Sequence, residues 1–99
     1  MAPRTVELHP RAIAEARAAA DRYATVAGEA TAFRFEAELE RAIGLIADAP
    51  QRWPEYRRGT RRYLFRRFPF SVIYRVGSES IQVIAVAHAR RRPDYWRRR

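Results

Sequence analysis

Cysteine is absent from these 99 residues, so neither a disulfide framework nor a thiolate metal site can be built. Lysine is absent too, and all twenty basic residues are arginine. No apolar run approaches the roughly 18 residues a membrane span needs. The first residues also lack the apolar core of a signal peptide, so no membrane role and a cytoplasmic location are the expectations. The four glycines do not form a phosphate-cradling loop. His9 and His88, with scattered carboxylates, give no metal-ligand spacing, so no metal or other cofactor is expected. Ser71, Ser78 and Ser80 have no evident base and orienting acid, which leaves serine hydrolase chemistry unsupported.

What remains is charge, and it is unevenly placed. Residues 1–50 carry six arginines against eight acids, whereas residues 51–99 carry fourteen against three. An asymmetry of this size points to an acidic or polyanionic partner on the second half. Arginine rather than lysine suits bidentate recognition of phosphate or carboxylate. Codon bias in a GC-rich genome is the competing and better explanation of the residue choice, and abundant alanine fits it. It does not explain the placement.

The length fits a single domain over 1–99. Residues 4–9 alternate, with Val6 and Leu8 on one face of a half-buried strand. Pro10 then opens a helix to about Ala27, with a stripe of Ile13, Ala16, Ala20, Tyr23, Ala24 and Ala27. Gly28 is placed as an αL cap. A second helix from Glu29 to about Ala49 has Ala32, Phe35, Leu39, Ala42, Ile43 and Ile46 inward, and Pro50 stops it. Residues 50–60 form a loop, anchored by Trp53 and Tyr56 packing on the core.

Three strands follow, at Arg61–Arg67, Phe70–Val76 and Ile81–His88. Gly77-Ser78 turns the chain between the last two. The final strand has Ile81, Val83, Ala85 and Ala87 on one face and Ile84 and Val86 on the other, with His88 closing that second face. A strand apolar on both sides is a central strand. The order β-α-α-β-β-β makes an α+β fold, a helical hairpin packed on a mostly antiparallel four-stranded sheet.

This order resembles the ParE/RelE superfamily of bacterial type II toxin–antitoxin (plasmid stabilisation) systems. The stretches that carry it are Arg-Arg-Phe-Pro-Phe-x-Val-x-Tyr-Arg-Val at 66–76 and Ala-His-x-Arg-Arg-x-Pro-x-Tyr-Trp at 87–96. The resemblance implies a growth-inhibiting toxin neutralised by a cognate antitoxin protein, as a hetero-oligomer. It also implies one of two targets, DNA gyrase for ParE-like members or ribosome-bound mRNA for RelE-like ones.

Metal-free RNA cleavage needs groups to move protons and cations to hold the strained phosphate. The catalytic candidates are His88 and Tyr95, for proton transfer, and Arg90, as a cation. For contact with a target or nucleic acid they are Arg62, Arg66, Arg75, Arg91, Arg92 and Trp96. The resemblance places a functional tyrosine at Tyr95, but Ser71 and Ala89 stand where ribonuclease members carry arginines, which speaks against that chemistry. Bland roles compete with each of these. His88 can cap a strand, Tyr95 and Trp96 can fold back over the sheet, Arg66 can guard an edge, and Arg97–Arg99 can be a solvated tail. A plain basic nucleic-acid-binding module, and a degenerate toxin kept only for antitoxin binding, are the alternatives in function.

Overall fold

A computed structural model describes residues 4–99. Its elements are β1 (Thr5–Leu8), α1 (Pro10–Ala27), α2 (Glu29–Asp48), β2 (Arg61–Leu64), β3 (Phe70–Val76) and β4 (Ser80–His88). The sheet runs β1-β4-β3-β2. β1 pairs parallel to β4, while β2–β3 and β3–β4 are antiparallel. β4 is therefore a central strand, as its two apolar faces require. β1 closes the sheet beside the strand furthest from it in sequence.

Local chemistry sets the helix ends. His9 precedes Pro10 and its Nδ1 accepts the Arg11 N–H at 3.0 Å, giving the first turn a side-chain cap. The expected αL cap at Gly28 is replaced by φ 93° and ψ 161°, a conformation essentially reserved for glycine. One residue there ends α1 and begins α2, and the αL conformation would not redirect the chain so abruptly. The α1 stripe is also rotated from the expected one. Ala12 and Ala19 are buried, whereas Ile13 lies outward. Packing against the sheet through alanine brings the helix close, and the longer Ile13 is left at the flank.

The helix-facing core joins Phe35, Ala42 and Ile46 to Tyr63, Phe65, Val72, Tyr74, Ile81, Val83 and Val86. Trp53 packs on Tyr63 with centroids 5.2 Å apart, as the loop reading expects. The opposite face carries a second, smaller core of Ile73, Ile84, Ala85 and Trp96, with Tyr56, Ala87 and Tyr95 packed against it. The segment after β4 and the 50–60 loop supply that cover.

The expected alternation of β4 fails at one point. Ile73 pairs with Ala85 but Tyr74 pairs with Val83, so Ile84 is an extra residue, a β-bulge. Before it, Ile81 and Val83 face the helices. After it Val86 does so, while Ile84, Ala85 and Ala87 lie with the second core. The bulge exchanges the two faces for the rest of the strand.

One further expectation changes. β2 ends at Leu64 rather than Arg67, and Phe65 N–H donates to the Phe70 carbonyl at 2.9 Å across the turn. Gly77 is needed in the β3–β4 turn for space, since a Cβ there would stand 2.9 Å from the Ser80 carbonyl oxygen.

Candidate functional site

β4 outruns β1, whose register with it stops at Val83. Beyond that point the β4 edge offers unpaired backbone groups, and side chains satisfy them. Val86 N–H donates to Glu15 Oε1 at 3.0 Å, and the Ile84 carbonyl accepts from Arg99 Nη1 at 3.2 Å. Arg99 donates to both carboxylate oxygens of Glu15, at 2.8 and 3.0 Å. Tyr95 hydroxyl donates to Glu15 Oε2 at 2.6 Å. Arg99 is thus an internal ion-pair partner, not part of a solvated tail.

This network controls the chemistry of Tyr95. Burial first, then the hydrogen bond to Glu15 and that carboxylate's charge, push its phenol well above the ordinary value. The hydrogen bonds to Glu15 likewise raise the Arg99 guanidinium, which stays charged.

The network also fixes the segment from Ala89 to Trp96 against the second face of the sheet. Asp94 helps from the other side. Its backbone turns at φ 67°, and its carboxylate lies 3.3 Å from Arg57 and 3.5 Å from Arg58 in the 50–60 loop. Between the loop, the strands and this segment lies a cleft of about 170 Å³. Arg62 and Tyr56 form one side, Arg91 and Arg92 the other, and Ser71, Ile73 and Ala87 the floor. Ala89 and His88 border it where β4 ends.

Two guanidiniums in this cleft rest on rings. Arg62 lies over Tyr56 at 4.2 Å and Arg91 over Tyr95 at 3.8 Å. Among the described residues neither they nor Arg92 form an ion pair, and no carboxylate lines the cleft.

The cleft brings together Arg62, Arg91, Arg92, Tyr95 and Trp96, with His88 at its border. It does not include Arg66, Arg75 or Arg90. Arg66 is exposed beyond β2, where its backbone N–H donates to the Glu38 carboxylate. Arg75 donates to the Arg58 carbonyl at 3.0 Å. Trp96 is 3% exposed and packs in the second core, with Tyr56 at 6.4 Å.

His88 is paired in register with Phe70, and their rings meet edge to face at 5.0 Å. That puts the imidazole beside Val86 on the helix side, the outcome of the bulge, whereas Arg62 pairs with Ile73 on the other side. His88 Nδ1 accepts the Arg90 N–H at 3.0 Å, so the neutral ring carries its proton on Nε2. That leaves Nε2 as the ring's donor.

The residue that the sequence reading passed over is Glu15. Its signal was spacing: it lies three positions after Ala12 and four before Ala19, a lone acid on the buried stripe of α1. No three histidine, aspartate or glutamate side chains cluster as a metal site among the described residues. Nor is any helix of these residues long and apolar enough to cross a membrane.

Comparisons with known proteins bear on the family and the fold. The family model described as the ParE toxin of the type II toxin–antitoxin system parDE matches residues 6–93. A solved structure, the chromosomal ParDE TA system from P. aeruginosa, matches with a TM-score of 0.77 at 20% identity. The match spans 86% of this chain and 95% of that one, and at this identity it supports the shared fold. No curated protein matches the sequence.

Proposed function

We propose, for a chain that belongs to the ParE toxin family of type II toxin–antitoxin systems, that it inhibits growth by acting on DNA gyrase without being an enzyme. A cognate antitoxin neutralises it in a cytoplasmic hetero-oligomer, within a module that stabilises the replicon carrying it.

The observation that carries the choice of target is the cleft's own lining. Ser71 in its floor and Ala89 at its border stand where, by the resemblance, ribonuclease members of the wider superfamily carry arginines. Without those cations a strained phosphate would lose much of its electrostatic support. Two other features point the same way. The Tyr95 hydroxyl is committed to Glu15, and its raised pKa makes it a poor proton carrier near neutrality. The lone pair on His88 Nδ1 is taken by the Arg90 N–H.

Purified gyrase supplies the test. Supercoiling should fall as this chain is added and recover when a cognate antitoxin is present, while messages on translating ribosomes remain intact. Undiminished supercoiling, or codon-dependent cuts abolished in Tyr95→Phe, would overturn the proposal.

A further inference from the structure

We infer that the Arg62–Arg91–Arg92 cleft binds the phosphodiester backbone of nucleic acid, and does so without reading bases. This rests on the reading of the cleft as the working surface, and it adds the chemistry of what that surface holds.

Three observations lead there. First, a trio of guanidiniums converges on one small cleft with no carboxylate in its lining and, among the described residues, no ion pair to neutralise them. Clustered like charges repel, so their arrangement stores affinity for an anion. Guanidinium forks match phosphate oxygens in pairs.

Second, the rings that usually stack on bases are occupied. Arg62 covers Tyr56, Arg91 covers Tyr95, and Trp96 is buried in the second core. Binding by base stacking needs an open aromatic face. A ligand held here is gripped by its backbone, and backbone contacts carry no sequence information.

Third, size and polarity argue against a small molecule or an acidic protein segment. The cleft's volume of about 170 Å³ lies below the roughly 300–1,000 Å³ of ordinary ligand pockets. Its apolar floor is already covered, with Ile73 2% and Trp96 3% exposed, leaving little apolar surface for a peptide to bury. A phosphate presented on a polymer needs only the guanidinium edges.

The experiment uses the full chain and fluorescently labelled DNA duplexes, one of mixed sequence and one of A·T pairs only, followed by anisotropy across a salt series. Expected is equal affinity for both. A plot of log affinity against log salt should slope at about −2.7, from three phosphate contacts at about −0.9 each. Arg62→Ala and Arg92→Ala should each weaken binding roughly tenfold and make the slope shallower by about 1. Arg34→Ala, on the exposed side of α2, should change neither. Circular dichroism checks that each variant is folded.

Binding unchanged in Arg62→Ala/Arg92→Ala, or a strong preference for one sequence, overturns the inference. So does polyglutamate competing as well as DNA, which would mark an acidic-peptide site. A labelled RNA of the same length shows whether the phosphodiester of either nucleic acid suffices, as expected for backbone recognition. Gyrase inhibition separates the two proposals. Gyrase inhibited in full by a double variant whose DNA binding is unchanged leaves the gyrase reading standing and removes this one. DNA bound as expected with gyrase unaffected does the reverse.

Discussion

Glu15 and Arg99 meet face to face, Nη1 to Oε1 at 2.8 Å and Nη2 to Oε2 at 3.0 Å, although 84 positions separate them. With side chains only 16% and 9% exposed, the pair is well shielded from water. Removing one partner strands the other, a loss of about 3–5 kcal/mol in fully buried pairs. Here Glu15→Gln should cost about 2–4 kcal/mol in urea denaturation, since Arg99 has some access to solvent. Combining it with Arg99→Met should cost less than the sum of the two single changes. Strict additivity would mean that the contact contributes nothing.

Two hydrogen-bonded phenols, Tyr74 buried and Tyr95 half-buried, should make the protein sensitive to alkali. Tyr74 hydroxyl donates to the Pro50 carbonyl at 2.6 Å, and burial pushes its pKa up to about 12. Tyr95 shifts in the same direction. A pKa raised on folding stabilises the protein fully below the unfolded value near 10, and that stability is lost as pH rises through the folded value. Stability should be level up to about pH 9.5 and then fall, with Tyr74 alone accounting for roughly 2–3 kcal/mol by pH 12. Tyr74→Phe should flatten the fall. Denaturant midpoints against pH, with tyrosinate absorbance recorded alongside, decide it, and an equally steep fall in Tyr74→Phe would contradict this assignment.

Trp96 should behave as a core residue. Truncation to alanine opens a cavity beneath the segment that carries Arg91 and Arg92, at about 3–5 kcal/mol. A change under about 1 kcal/mol, read from the denaturation midpoint, would show that the second core is not a packed unit.

Two glycines should respond oppositely to alanine. Gly44 is exposed within α2 and a Cβ there meets nothing within 4 Å. Gly44→Ala should therefore stabilise by about 0.5–1 kcal/mol. Gly28 also has space, but its φ of 93° is strained for alanine, so Gly28→Ala should cost about 1–3 kcal/mol. Thermal unfolding of the two variants should move in opposite directions.

The elements were legible because each carries a period that its neighbours interrupt. Pro10, Gly28 and Pro50 punctuate the helices, and the two-faced apolar run at 81–87 announces a central strand. The bulge was hidden by the same run. Ile84, Ala85 and Val86 are all apolar, so no polar residue marks where the alternation slips, and the side of His88 cannot be read. The Glu15–Tyr95–Arg99 network was hidden for another reason. An arginine run looks the same whether its charges meet water or a carboxylate brought from a distant helix, and only the fold supplies that partner. The cleft was half legible: Arg62, Arg91 and Arg92 were named from charge, but nothing local links Arg62 to Tyr56 across the loop.

The parallel pairing of Thr5–Leu8 with Ser80–Val83 has a kinetic side. On a translating ribosome β1 emerges early and waits for a partner made some 75 residues later, while the helical hairpin is already complete. Contacts of such long sequence separation slow folding, because the loop must close before any pairing rewards it. The Glu15–Arg99 contact comes later still. During that interval the apolar faces of the hairpin and β1 have no sheet to cover them.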